Sequence, residues 1–191
     1  MRILRPRIPG ADWLVSAALA GTLLLWTAAG LAAQQASRPA GPLQLKLSPR
    51  TPDQVAAFYE ARGFPAPALV HIRAACFITV GLRNNTDKVV WLELARWRVT
   101  SANGSVQRLA REDWERAWTQ ADVEPAQRAT FGWTLLPEAR DLQPDEPVGG
   151  NLTLVRSSEP LTFEAVFKTG PNKRGGEIQL RYENVQCASD P

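Results

Sequence analysis

One histidine, two cysteines and a single methionine, Met1, are all that this 191-residue chain offers to soft-metal or nucleophilic chemistry. Zinc sites draw three or four ligands from Cys, His and carboxylates, and soft copper sites draw on Met, Cys and His. That inventory is missing, so no metal and no cofactor is expected. His71 stands alone on a short helical stretch and reads as partly exposed or packed, not as a ligand or general base. There is no Gly-x-Ser-x-Gly elbow and no Ser-x-x-Lys pair to activate a serine. Glu112 with Glu115, and Asp145 with Glu146, could pair for glycoside hydrolysis, but each pair sits among charged residues that suit a solvated surface. Gly149–Gly150 and Gly175–Gly176 lack the frame of a phosphate loop. No catalytic residue is assigned, and the chain is expected not to be an enzyme.

Two other residue sets carry more information. Cys76 and Cys187 are expected to form a single disulfide, with two buried free thiols as the alternative. Trp114 and Trp118 lie four apart in Arg111 to Gln120, surrounded by charged side chains, and so share one face of a helix. With Glu115 and Arg116 they form a candidate interaction surface, because Trp and Arg are enriched at binding hot spots. The competing account is that both indoles dock the helix onto a sheet. Trp133 reads as core.

The positioning elements begin with the N-terminus. Arg2, Arg5 and Arg7 precede an uncharged run from Trp13 to Gln35 with small residues at its end, the form of an export signal. Cleavage would follow Ala32 or Ala33. The 21 residues from Trp13 to Ala33 are also long enough to cross a membrane of ~30 Å as a helix. Residues 1–33 are therefore a signal peptide or an N-terminal membrane anchor, and either delivers the remainder to the periplasm or beyond. Four of the 22 basic residues and one of the 19 acidic residues precede residue 40, which leaves 18 of each sign. A nucleic-acid binder would carry a basic excess on its folded part, so no nucleic-acid partner is expected.

Residues 34–42 read as a linker, and residues 43–191 as one β-sandwich domain. Leu43, Leu45 and Leu47 alternate as an edge strand. Thr51-Pro52-Asp53-Gln54 opens a helix with a capping box, and helices are expected near residues 51–62, 68–75 and 111–120. Cys76, Ile78, Val80 and Leu82 share one face of a strand that reads as central, since its other face is partly apolar too. A polar break at residues 84–87 and a second run to Leu94 give the form of a β-turn-β unit. Asn103-Gly104 marks a hairpin. Residues 130–136 read as a strand with Phe131, Trp133 and Leu135 on one face, and residues 137–150 as a long polar connection. Alternating strands follow at Leu152–Leu154, Leu161–Lys168 and Ile178–Tyr182. With seven or eight short strands, the fold class is mainly β, an antiparallel sandwich with short helical decorations.

Two stretches resemble small immunoglobulin-like domains exported by bacteria, many of unknown function. Val80-Gly81-Leu82-Arg83-Asn84-Asn85-Thr86-Asp87-Lys88-Val89 is similar to their strand–turn–strand segment. Leu142-Gln143-Pro144-Asp145-Glu146-Pro147-Val148-Gly149-Gly150-Asn151-Leu152 is similar to a later one, with Asp145 where that pattern often has glycine. The resemblance covers about residues 76–187 and implies an immunoglobulin-like β-sandwich but no chemistry. The resulting expectation is a non-enzymatic accessory or protein-interaction module of the cell envelope whose partner is another envelope protein. The alternatives are a small carbohydrate-binding domain using Trp114 and Trp118, and an envelope enzyme of unrecognised type.

Overall fold

A computed structural model describes residues 36–37 and 41–191; the expected export helix or anchor, and its cleavage, lie outside the described residues. Two antiparallel sheets pack face to face. The first has the order β1 (Ala36–Ser37), β2 (Leu43–Arg50), β3 (Ala75–Asn84), β8 (Pro147–Val155). The second is built around β9 (Leu161–Thr169), which pairs along one side with β10 (Glu177–Val185). Its other side pairs with β5 (Trp97–Ser101) and β4 (Val90–Glu93), two segments of one line broken by a 3₁₀ turn at Leu94–Arg96. β4 pairs onward with β7 (Ala139–Leu142) and β5 with β6 (Gly104–Ser105), the latter being the Asn103-Gly104 hairpin.

Period-two alternation sets this arrangement, because one face of each strand must leave water. Leu43, Leu45 and Leu47 of β2, the even-numbered apolar residues of β3, and Leu152 and Leu154 of β8 face Leu161, Phe163, Ala165 and Phe167 of β9 across the sandwich. Tyr182 of β10 spans the layers at the edge, its hydroxyl donating to the Leu45 carbonyl at 2.9 Å.

The turn after β3 differs from the expected β-turn-β unit. β3 and β4 do not pair; the chain leaves one sheet at Asn84 and enters the other at Val90. Asn84 holds this crossing. Fully buried, it donates through Nδ2 to the carbonyls of Lys88 (2.7 Å), Leu142 (3.0 Å) and Gln143 (3.1 Å). Its Oδ1 accepts from the backbone N–H and the hydroxyl of Thr86 at 2.9 and 2.7 Å. A hairpin satisfies its turn through ladder bonds, whereas a crossing has none and needs a side chain to bind the loose carbonyls.

The outer face of the first sheet carries four helices: α1 (Pro52–Glu60), α2 (Ala66–Ala74), α3 (Arg111–Gln120) and α4 (Pro125–Thr134). They enclose a second core on β3, in which Phe77 meets Tyr59, Phe131 and Trp114. The first three expected helices are present to within two residues. α4 replaces the strand expected over residues 130–136. Its start repeats the α1 signature, with Pro125 at the first helical position and Gln127 Oε1 accepting from the Glu124 N–H at 3.1 Å. Gln127 Nε2 also donates to the Gly63 carbonyl at 2.5 Å, tying α4 to the end of α1. As a helix, residues 131 and 133 lie ~200° apart. Phe131 is therefore buried while Trp133 is 89% exposed, which corrects its reading as core. Two further strands sit where none was expected: β7 within the polar connection and β1 within the linker, against Lys46 and Leu47.

Cys76 and Cys187 are bonded, with Cα atoms 5.4 Å apart. The bond joins β3 of the first sheet to the segment that follows β10 of the second. Closing 111 residues is worth up to ~4.7 kcal/mol in the chain-entropy account. Beyond it, the C-terminal segment crosses one end of the domain. Arg156 donates to the Ala188 and Ala75 carbonyls, and the Asp190 carboxylate accepts from the Asp53 N–H in the first turn of α1. No helix among the described residues is long and apolar enough to cross a membrane.

Asn84→Ala removes the one side chain that binds the Lys88, Leu142 and Gln143 carbonyls and accepts from Thr86, so it is expected to cost ~3 kcal/mol. Urea unfolding followed by far-UV circular dichroism will show this as a lower midpoint at an unchanged slope.

Candidate functional site

The sequence-derived surface does not assemble. Trp114 and Trp118 share a face of α3, as their spacing requires, but that face turns inward and leaves them 3% and 1% exposed. Their rings stack at 5.0 Å, and Trp114 Nε1 donates to Thr153 Oγ1 of β8 at 2.9 Å. Trp118 packs edge-on to Phe131 and Phe64. Glu115 and Arg116 face outward to unrelated partners: Glu115 pairs with Arg128 at 3.6 Å, and Arg116 with Asp113. An indole cannot grip a partner or a sugar ring from inside a core, so this surface and the carbohydrate platform are both corrected. The physical reason is that α3 carries one apolar stripe and the sheet beneath it has an aromatic face to cover.

The carboxylate pairs also disperse. Glu146 pairs with Arg140 and caps the Gln143 N–H, while Asp145 lies 3.7 Å from Arg83 in a turn with φ +63°. His71 is half-buried on α2. Among the described residues, no three His, Cys, Asp or Glu side chains are grouped as a metal site.

Two concavities among the described residues bear on function. The larger, about 530 Å³, is a depression on the outer face of the second sheet between Arg96, Arg98, Glu164 and Arg181. Its charges are already spent on one another: Glu164 lies 2.6 Å from Arg181 and 3.5 Å from Arg98, and Glu177 lies 2.7 Å from both Arg96 and Lys168. The Lys168 hydrogen bond holds the Glu177 carboxyl below the usual range. This is a solvated ion-pair ladder.

The smaller, a cleft of about 400 Å³, lies where α1 meets the open half of the first sheet. Its lining comes from four elements: Arg50 of β2; Gln54, Val55, Phe58 and Tyr59 of α1; Thr79 of β3; and Asn151 of β8. Thr79 and Asn151 are register partners on the outer face, so the ladder itself sets them side by side. A hydrogen-bond chain runs through them. Arg50 Nε donates to Thr79 Oγ1 at 2.9 Å, and Thr79 Oγ1 donates to Asn151 Oδ1 at 2.9 Å. The Tyr59 hydroxyl lies 2.6 Å from Thr134 Oγ1, which donates to the Phe131 carbonyl at 2.7 Å. Burial pushes the Tyr59 phenol above its ordinary value of 10.0, opposed by the Thr134 hydroxyl, Asn151 and the Arg62 charge. Val55 and Phe58 of α1 supply the apolar part of the lining. The Phe58 ring is held by Arg62, whose guanidinium lies 3.4 Å from its centroid, and by Tyr59 edge-on at 5.0 Å.

The lining offers donors, acceptors, one guanidinium and apolar surface, but no carboxylate or imidazole to move a proton. Such an arrangement can bind and orient. Sequence reasoning missed it because Arg50, Thr79 and Asn151 are separately unremarkable outward positions of three strands. Only strand register, which the chain does not spell out, brings them together.

No family model matches the chain, and no curated protein matches it. Among solved structures it is similar to the yjhA protein from Bacillus subtilis, at 11% identity and a TM-score of 0.37, covering 68% of this chain and 76% of that one. It is also similar to ycdA from Bacillus subtilis, at 9% identity and a TM-score of 0.41. There the match covers 79% of this chain and 39% of the other, so the chain spans well under half the length of that protein. A FixG-related protein from Vibrio parahaemolyticus matches at 10% identity and a TM-score of 0.35, covering 77% of this chain and 98% of that one. Likenesses this distant assign no family.

Trp118→Ala is expected to lose ~3–5 kcal/mol of stability, measured by urea unfolding, as befits a core indole. Tyr59 adds a pH signature. Its raised native pKa means the folded chain holds a proton that the unfolded chain has released just above pH 10, so stability is complete below that pH and falls as pH rises through the native value. Tyr59→Phe removes this contribution. It should therefore lose less stability than the unaltered protein between about pH 8 and about pH 11, compared by denaturant titration.

Proposed function

We propose that this chain is an exported, non-enzymatic accessory module of the cell envelope, working in the periplasm through contacts with another envelope protein. The observation that carries the reading is the Cys76–Cys187 bond. A disulfide that joins two sheets belongs to an oxidising compartment, since cytosolic thiols are kept reduced. The arginine-flanked apolar run of residues 13–33 supports the same destination, either as a cleaved signal or as a tether to the inner membrane. The membrane enters only through that segment.

The strand order supports an immunoglobulin-like reading. β2, β3 and β8 stand in the order of the A, B and E strands, and β10, β9, β4 and β7 in that of G, F, C and C′. In this reading the helical pairs are insertions, one between A and B and the other after C. The cleft supports binding over catalysis, because its lining supplies recognition groups without an acid–base pair. No nucleic acid, metal or cofactor is part of the proposal.

Expression of the full chain in a Gram-negative host tests the reading. The expected result is a protein in the periplasmic or membrane fraction whose thiols resist alkylation until reduced. A version lacking residues 1–33 should stay in the cytosol with two reactive thiols. Cytosolic full-length protein with free thiols would overturn the proposal. The mass of the purified chain decides between cleavage and tethering.

A further inference from the structure

The cleft beside α1 has a chemistry that narrows what it can take. Arg50 is exposed, and its guanidinium is committed only through Nε, which is pinned to Thr79 Oγ1. Among the described residues neither of its Nη groups has a hydrogen-bond or ion-pair partner, which leaves both N–H pairs of the fork free beside the cleft. Most other arginines around the fold are engaged; Arg140, Arg96, Arg181 and Arg108 each pair with a glutamate. The Asn151 carbonyl oxygen accepts from Thr79 and its amide nitrogen donates to the Tyr59 hydroxyl, so one of its two N–H groups is left to donate. The lining holds no carboxylate, and a second guanidinium, Arg62, stands behind Phe58. A planar fork, a neighbouring amide donor and no competing anion suit a carboxylate, which accepts two parallel N–H bonds from arginine. Val55 and Phe58 line the same cleft of about 400 Å³ and give it an apolar part beside these donors.

We propose that this cleft binds a carboxylate bearing an adjacent apolar group, with Arg50 as the fork, Asn151 as the second donor and Val55–Phe58 as the apolar wall. This rests on the interaction-module reading, under which the occupant is the C-terminal residue of a polypeptide; a free aliphatic acid presents the same chemistry. Thr79 acts as a positioning residue, because its hydroxyl sets the direction of the fork.

The test is a titration of the isotope-labelled full chain with three probes, followed by amide chemical shifts. They are N-acetyl-Ala-Leu with a free carboxylate, its C-terminal amide, and hexanoate, each taken to about 10 mM so that a Kd near 1 mM is readable. The acid peptide should shift amides of residues 50–59, 79 and 151, and the amide should bind about tenfold more weakly or not at all. Hexanoate binding as tightly as the peptide assigns the site to free acids; clearly weaker binding assigns it to polypeptide termini. Arg50→Gln changes an exposed side chain and should weaken the acid about tenfold or more while the near-UV spectrum is unchanged. Asn151→Asp, which places a like charge in the cleft, should weaken it similarly. Equal binding of acid and amide, no binding by either acid, or indifference to both substitutions would overturn the inference. Capture of an envelope partner that survives Arg50→Gln would overturn it too, while leaving the interaction-module reading intact. Chemical conversion of a probe, read by chromatography, would instead count against the non-enzymatic reading.

Discussion

Phe77 faces away from the sandwich core, and covering it dictates the whole helical side of the molecule. β3 is apolar on both faces over its first half, so the second sheet alone cannot remove it from water. A strand of this kind needs a third layer. The chain supplies that layer from two insertions far apart in sequence, one before β3 and one after β6, and both converge on the same ring. Tyr59 comes from the first; Trp114, Trp118 and Phe131 come from the second. Aromatic rings suit the task because each buries a large area with few rotatable bonds, and edge-on or offset pairs add ~0.5–1.5 kcal/mol each.

Polar groups do the complementary work of specifying where elements stop. Thr153 illustrates this: its hydroxyl accepts from Trp114 and donates to the Leu109 carbonyl, so a single threonine under the helices satisfies two groups that burial would otherwise orphan. Asn84 does the same at the opposite end of β3, where the chain changes sheets. Between them, the two residues fix the limits of the two cores. Left unpaired at these depths, each of these groups would cost ~1–3 kcal/mol.

How much of this is legible in the chain depends on whether the signal is local. The alternation of β3 and β9, the capping box at Thr51 and the tryptophan stripe of α3 are local, and each marks its element correctly. The disulfide is legible because only two cysteines exist. α4 was hidden by coincidence: Phe131, Trp133 and Leu135 are spaced as a strand would be, while the Glu124-Pro125-x-Gln127 start that decides the matter mirrors the one read at Thr51. The partners of β3 and β4 are not legible, because an Asn-Asn-Thr-Asp break looks the same whether the chain folds back within a sheet or crosses to another. Trp114 and Trp118 show the limit most clearly. Their shared face is a fact of helical geometry, but its direction depends on Phe77, more than thirty residues earlier in the sequence.

The position of the cleft follows from β3 as well. Along its outer face the strand passes from Phe77 through Thr79 to Gly81 and Arg83, a change from apolar to polar within seven residues. The helical layer covers the apolar end, where burial lowers the free energy, and has no reason to extend over the polar end. Its edge therefore falls at Thr79. A layer edge above an uncovered sheet is a concavity by construction, walled by the helix at that edge, here α1, and floored by outward-facing strand residues. Tyr59 sits on the boundary, its ring in the aromatic core and its hydroxyl bonded to Thr134, so the packing that makes the second core also holds the wall of the cleft in place. The same constraint that demanded the helices thus sets where a rigid, partly polar recess can exist on this face.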